Sequence, residues 1–326
     1  MCVRPLKGWR SSTVGPNGKR GIVFNRKDAF VDMPVDVACG NCMQCRLKKS
    51  KMWALRCMHE ASLHKENMFL TLTYSDEYLP ENANLVKEDF QKFMKRLRKH
   101  LKNVKVRYYH CGEYGKNNPE DPKHRETYKI SNLGRPHFHA LIFGYRFTDG
   151  ILAGVKDGNR LFVSKLCEKL WPFGYNRYGD VNFKSAGYVA RYCTKKINGV
   201  MKEEHYQRIC PETGHIVKLN QEYTTMSRRD GIGKGWYDKF KYDLYPKDFV
   251  TVGGLKVNAP PYYDSFFEID DPAMFAEVKA KRISNAKKNA EKITPESVRA
   301  KHENAMSKFK LLKRNVDDEE AIVCDV

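Results

Sequence analysis

The chain has 326 residues, enough for one domain with a core of ordinary size plus a smaller module or tail. Its 59 Lys and Arg against 39 Asp and Glu leave a formal net charge of +20, far beyond what solubility needs, and favour a polyanionic partner, nucleic acid first. No apolar run approaches the roughly twenty residues that cross a bilayer, and residues 1–10 lack the apolar centre of a signal peptide, so no membrane partner and a cytosolic setting are expected.

Residues 1–36, rich in Gly, Pro and basic groups without sustained periodicity, read as an irregular lead-in whose cations could touch DNA. Cys39, Cys42 and Cys45 follow at C-x2-C-x2-C spacing, and Cys2 could fold back to complete a tetrahedral thiolate set. A reducing cytosol disfavours disulfides among the ten cysteines. The four therefore read either as a structural metal site, Zn²⁺ ahead of an iron-sulfur cluster, or as reduced thiols at the start of a helix. Cys57, Cys111, Cys167 and Cys193 read as small core residues. Over 46–65, Leu47, Met52, Leu55, Met58 and Leu63 recur among Lys and Arg with an approximate helical period, giving a cationic face that is either a DNA clamp or simply solvated. Residues 1–66 make up this basic, Cys-rich N-terminal segment.

A core is expected over 67–198. Residues 67–74 read as a buried strand, 86–101 as an amphipathic helix on Phe90, Phe93, Met94 and Leu97, and 104–110 as an alternating strand. A long polar connection over 115–132 leads to a strand starting near Pro136. Then come a helix over 163–171, a turn at Pro172-Phe173-Gly174, a short strand near 178–183 and a helix carrying Tyr188 and Tyr192. This order favours an α+β fold with a mainly antiparallel central sheet flanked by helices. Beyond it the pattern weakens into a basic irregular extension, 199–272, where Arg228, Arg229 and Lys234 surround a glycine-rich turn. Such a turn can offer guanidinium forks and backbone N–H groups to phosphate, or be an ordinary basic turn. Residues 273–326 read as a helical, charged C-terminal appendage ending in Asp317-Asp318-Glu319-Glu320.

Within the core, a strand turns alternate side chains to one face, so His137 and His139 project together with Phe138 behind them. Two imidazoles leave a metal shell open, and Glu113, in Gly112-Glu113-Tyr114-Gly115 at the end of the preceding strand, is the first choice as third ligand; His110 and Asp121 are weaker choices. On a helix, Tyr188 and Tyr192 form a pair of phenols on one face, with Lys195 further along. Alone, an H-x-H strand is more often two satisfied histidines, and such a tyrosine pair is usually core packing. Their conjunction in so basic a chain favours metal-assisted attack of tyrosine on a DNA phosphate. Mg²⁺ or Mn²⁺ would neutralise the phosphate, Lys195 or Arg191 would favour the phenolate, and the products would be a phosphotyrosine and a free 3′ hydroxyl.

These residues resemble the HUH endonuclease superfamily, and more closely the rolling-circle replication initiators of gokushovirus-type Microviridae phages. The resemblance rests on the Met1-Cys2 start, the cysteine cluster running into a basic helix, Phe69-Leu70-Thr71-Leu72-Thr73-Tyr74, Gly112-Glu113-Tyr114-Gly115, Gly134-Arg135-Pro136-His137-Phe138-His139, Tyr188-Val189-Ala190-Arg191-Tyr192 and the stretch from Ser227-Arg228-Arg229 to Gly233. It covers about residues 1–240. It implies a ferredoxin- or RRM-like HUH core that nicks a replication origin, single-stranded or locally melted, in the host bacterial cytoplasm and later rejoins the strand. By position, His137 and His139 match the metal pair, Glu113 the third ligand, Tyr188 and Tyr192 the two nucleophiles, and Lys195 the motif lysine. Arg135, Arg191, Arg228, Arg229 and Lys234 are the candidate DNA contacts. No G-x-x-x-x-G-K-[ST] occurs, so a host helicase, like a host polymerase, is an expected partner. The alternative from another class is a noncatalytic single-stranded DNA-binding or packaging protein whose tyrosines stack on bases. A hydrolytic nuclease would use water and leave no adduct, and a transposase or relaxase would share the tyrosine chemistry.

Overall fold

The structure is a computed structural model and describes residues 2, 5–16, 20–116, 133–156, 158–192, 201–209, 213–290, 294 and 296–307, the side chains of 116, 156, 192, 201 and 290 excepted. It divides into two compact units, one made of the described residues up to Lys49 and from Asn285 on, the other of Ser50–Ser284.

In the first unit, β1 (Leu6–Val14), β2 (Arg20–Val23) and β3 (Ala29–Val37) form an antiparallel sheet in the order β2-β1-β3. The expected irregular lead-in is thus a sheet. Its large apolar side chains, Ile22, Phe24 and Phe30 among them, stay exposed, so no apolar alternation marks a buried face in the sequence. The cysteines Cys39 and Cys42 precede α1 (Met43–Ala61), and Cys45 lies in its first turn. A further helical stretch covers 296–307.

The second unit is built on a seven-stranded sheet. Its members are β4 (Asn67–Tyr74), β5 (Arg107–Lys116), β6 (Leu133–Phe143), β7 (Gly150–Lys156), β8 (Asn159–Ser164), β9 (Gly174–Gly179) and β12 (Tyr223–Met226), in the order β12-β5-β6-β4-β9-β8-β7 with every neighbour antiparallel. The α+β architecture expected from the element order is present. One face carries Leu70, Leu72, Phe138, Ala140 and Tyr178, packed with Phe90, Phe93, Met94 and Leu97 of α2 (Lys87–Leu101) and Trp171 just after α3 (Lys165–Leu170). The opposite face meets α1, where Trp53 packs on Tyr109 at 5.1 Å, and α4 (Phe183–Tyr192), whose Tyr188 packs on His139. At the end of β4 the chain of β9 passes so close that a Cβ on Gly174, at φ 152°, would fall 2.3 Å from the Ser75 nitrogen.

The helix expected over 163–171 starts later, because Phe162 and Val163 end strand β8 and Ser164 caps α3 through its hydroxyl, which accepts from the Cys167 N–H at 2.9 Å. The strand expected near 178–183 lies earlier, as β9. The polar connection falls mostly on 117–132, outside the described residues, as does the acidic end at 317–320. The stretch 199–272 is not irregular. After α5 (Met201–His205) and the hairpin β10 (Gln207–Ile209) and β11 (Ile216–Lys218), β12 extends the main sheet. Then α6 (Lys234–Leu244), the hairpin β13 (Phe249–Val252) and β14 (Leu255–Asn258), α7 (Pro261–Asp270) and the start of α8 (Pro272–Ala290) enclose a second core on Tyr237, Tyr245, Tyr263, Phe267 and Phe275. Its rings carry the burial that aliphatic periodicity would otherwise signal, with Tyr245 stacked on Phe267 at 3.9 Å. No helix among the described residues is long and apolar enough to cross a membrane.

Arg56 and Glu60 of α1, on the face expected to be cationic, are buried. The Arg56 guanidinium lies between the Trp53 and Tyr262 rings, at 4.0 and 3.6 Å, and donates to the Ile232 carbonyl. Glu60 accepts from Arg107 and from the Gly233 N–H at 2.7 Å. Burial alone would raise the Glu60 carboxyl, but hydrogen bonds from His64 and Gly233 and the charge of Arg107 outweigh it and hold it below the usual carboxylate range. Glu60→Ala would leave Arg107 buried without its carboxylate, and should cost about 3–5 kcal/mol in a urea unfolding titration.

Two buried histidines set a pH dependence. Burial pulls His59, stacked on Trp236 at 3.6 Å, down to about 3. Burial, then the charges of His139 and Lys87, push His110 well below its ordinary value. Both folded values lie below the unfolded one, so the stabilisation is complete above about pH 6.5 and is lost as pH falls, at about 1.4 kcal/mol per unit for each histidine. Urea midpoints measured from pH 7 to pH 5 should fall accordingly.

Candidate metal and nucleophile centre

Register decides which side chains meet. On β5 and β6, Glu113 stands opposite His137 and Cys111 opposite His139, and on β4, Thr71 stands opposite His139 and Thr73 opposite His137. All of them therefore occupy the face away from α2. The Glu113 Oε1 atom lies 3.0 Å from Nε2 of both His137 and His139. The three side chains are buried, with relative exposures of 0%, 7% and 4%.

The second nitrogen of each ring is also held. His137 Nδ1 lies 3.1 Å from the Arg135 carbonyl, a pure acceptor, so Nδ1 carries the proton and Nε2 turns its lone pair toward Glu113. His139 Nδ1 pairs with the Thr71 hydroxyl at 2.9 Å, and its ring stacks on Phe69 at 5.5 Å. Imidazoles fixed at Nδ1 with Nε2 atoms converging on one carboxylate are what a divalent-ion site with open positions requires, and the three ligand atoms lie within 4.8 Å of one another.

The helix that brings the tyrosine is closed at its start by a reciprocal cap. The Asn182 side chain accepts from the Ser185 N–H and the Ser185 hydroxyl accepts from the Asn182 N–H, both at 2.9 Å. Ala186 and Ala190, fully buried and small, let the helix approach the sheet. Tyr188 thereby places its hydroxyl 3.3 Å from His139 Nε2, with its ring edge-on to the imidazole at 4.9 Å and the Arg191 guanidinium 5.9 Å from the ring centre. Tyr192 is the last residue of α4; its side chain and Lys195 lie outside the described residues, as does Asp121.

The other expected residues are placed as follows. His110 is on the opposite face, stacked on Phe90 at 3.4 Å, and belongs to the core under α2. Arg135 donates to the Tyr74 carbonyl at 2.8 Å and pairs with Asp76. Arg228 and Arg229 are exposed, whereas Lys234 is half-buried against Asp238 and the Tyr237 and Phe266 rings. The glycine turn beside them spends its Gly233 N–H on Glu60, and its carbonyls at Arg229, Asp230 and Ile232 accept from Arg107 and Arg56. Three residues of the centre escaped the sequence reading: Thr71, Phe69 and Arg177, which stands opposite Thr71 in β9. Their signal was available in β4, where Phe69, Thr71 and Thr73 alternate with Leu70 and Leu72 and so mark a second, partly polar face.

A family model for the replication-associated protein ORF2 group matches residues 67–197. Over 300 residues the chain is 29% identical to the replication-associated protein VP4 of Bdellovibrio phage phiMH2K, covering 89% of this chain and 84% of the relative. It is 30% identical over 267 residues to the replication-associated protein ORF2 of Spiroplasma virus 4, covering 77% and 74%. It is 31% identical over 166 residues to the replication-associated protein ORF4 of Chlamydia phage 1, covering 48% and 38%. No solved structure matches the chain.

Calorimetric titration with Mn²⁺ should show binding that Glu113→Gln abolishes. Thr71→Val, which removes only the hydroxyl that orients His139, should weaken it by roughly 10- to 100-fold.

Proposed function

The chain belongs to the replication-associated protein ORF2 family, and from that premise we propose that it starts rolling-circle replication of a single-stranded DNA phage by nicking the origin with a tyrosine. The observation that carries this reading is the Tyr188 hydroxyl at 3.3 Å from His139 Nε2, beside the convergence of His137, His139 and Glu113.

In the proposed reaction the Tyr188 oxygen attacks the scissile phosphorus and gives up its phenolic proton. The new oxygen–phosphorus bond forms as the bond to the 3′ oxygen breaks, and that oxygen leaves as a hydroxyl after taking a proton. The 5′ phosphate stays on the protein, so the bond energy is kept for rejoining. A divalent ion bound by His137, His139 and Glu113 supplies positive charge to a non-bridging phosphate oxygen and favours the phenolate. Two imidazoles with one carboxylate suit Mn²⁺ better than Mg²⁺, which prefers oxygen ligands throughout. Arg135 and Arg177, on the same face of the sheet, and Arg191 beside Tyr188 are the cations nearest the reacting phosphate. Tyr192, one helical turn on, serves as the second nucleophile that releases a unit circle, with Lys195 as its cation. A host helicase opens the duplex and a host polymerase extends the free 3′ end, in the cytoplasm of the host.

Labelled single-stranded DNA tiled across the replicon, incubated with Mn²⁺ and resolved on denaturing gels, should give a covalent adduct that maps to Tyr188 or Tyr192. It should vanish with chelator and in His137→Ala, and Tyr188→Phe should reveal whether Tyr192 can cut alone. Cleavage without an adduct would make water the nucleophile. Binding that survives loss of both histidines, with no cleavage anywhere on the replicon, would favour the noncatalytic single-stranded DNA-binding protein.

A further inference from the structure

The amino-terminal unit lacks what holds the rest of the protein together. None of its described residues belongs to the buried apolar set, while Leu6, Val14, Ile22, Phe24, Phe30 and Val31 of its sheet region are between 42% and 59% exposed. A three-stranded sheet without a core is marginal on its own, and small units of this kind are usually held by a disulfide framework or a metal. No disulfide is present among the described cysteines.

Four cysteines of the unit do converge. The Cys2 sulfur lies 3.4 Å from that of Cys39 and 3.8 Å from that of Cys42, and all four sulfurs of Cys2, Cys39, Cys42 and Cys45 lie within 4.8 Å of one another. Four thiolates about 2.3 Å from one central ion stand about 3.8 Å apart along the edges of their tetrahedron. A four-iron cluster binds each thiolate at a separate corner and needs them further apart. The backbone is arranged for the same purpose: the Cys39 N–H donates to the Cys2 sulfur and the Cys42 N–H to the Cys39 sulfur, both at 3.3 Å. Between Cys39 and Cys42 the chain turns through Gly40 at φ 73°, a conformation that favours glycine. Backbone donors aimed at sulfur stabilise thiolates, and thiolates select a soft, tetrahedral ion.

We propose that Cys2, Cys39, Cys42 and Cys45 bind one zinc ion that stands in for the missing core of the amino-terminal unit. The ion ties the segment at Cys2 to the turn after β3 and to the first turn of α1. With four thiolates it carries a net charge of −2, which Arg46, Lys48 and Lys49 in the following residues offset. The role is structural and independent of the nicking reading, because neither the histidines nor the tyrosines take part.

The test uses the full chain purified under reducing agent. Elemental analysis should find one zinc per chain that survives a chelator wash sufficient to clear the His137–His139–Glu113 centre. Cys45→Ser should lose it, and cobalt exchanged into the wild-type protein should show thiolate-to-cobalt charge-transfer absorption. Stripping the zinc with a thiol-reactive mercurial should open the stretch 6–37 to protease at least tenfold faster, while the urea midpoint of the Ser50–Ser284 unit stays unchanged. This arm reads the role in wild-type protein where Cys45→Ser fails to accumulate. Zinc-free protein whose four thiols react equally fast with and without chelator would overturn the proposal. So would acid-labile sulfide, a Cys2–Cys39 disulfide under reducing agent, or zinc retained after Cys42→Ser and Cys45→Ser together.

Discussion

Bringing Glu113 opposite His137, and His139 opposite Thr71, requires one register across β5, β6 and β4. A slip of one residue would turn these side chains into the layer now filled by Phe138 and Leu72. The apolar face fixes the register. Leu70, Leu72, Phe138 and Ala140 fit beneath Phe90, Phe93 and Met94 of α2, and no shifted pairing would bury the same set. The polar centre on one side of the sheet is thus positioned by the hydrophobic packing on the other. The polar residues have little freedom to choose their own arrangement.

That dependence explains why a fully buried carboxylate is tolerated. Glu113 alone in such a place would carry a large desolvation cost, and two imidazoles at 3.0 Å from one oxygen offset it only if their own Nδ1 atoms are satisfied. The Arg135 carbonyl and the Thr71 hydroxyl meet that condition from within the same sheet. A second buried carboxylate, Glu60, does comparable work at the junction of α1, β5 and the glycine turn after β12, where it anchors Arg107 and the Gly233 backbone. Around each carboxylate the surrounding groups are donors or stacked rings, so loss of one partner exposes the others to an uncompensated charge.

The centre was legible in the sequence to the extent that its signals were local. His137 and His139 follow from the period of a strand and Tyr188 from its place on a helix, and Glu113 was reachable because its strand precedes theirs. Thr71 and Arg177 depend on strand pairing across distant segments, which spacing along the chain does not reveal. The fold shows the same division. Strand β4 and helix α2 were readable because each buries one apolar face of regular period. The sheet of β1 to β3 buries no such face, and the hairpin of β7 and β8 exposes Ile151, Leu152 and Val155, so neither carries the alternation that marks a strand. In the module of α6 to α8 the burial is carried by tyrosines and by Arg282, whose guanidinium binds Asp248 and Asp264, and polar residue types of this kind read as surface until their partners are known.

The two clusters of ligating side chains differ in the softness of their donors. Four sulfurs discriminate strongly against Mg²⁺ and Mn²⁺, whereas two imidazoles and a carboxylate discriminate weakly and by intrinsic affinity would also take zinc ahead of manganese. The second cluster can therefore favour a harder ion only through supply and through the oxygen ligands added by a phosphate. Phosphate and water oxygens completing the shell fit Mg²⁺ or Mn²⁺ better than they fit a closed tetrahedral zinc site. The open positions beside Glu113, His137 and His139 thus set both what can react there and which ion can serve.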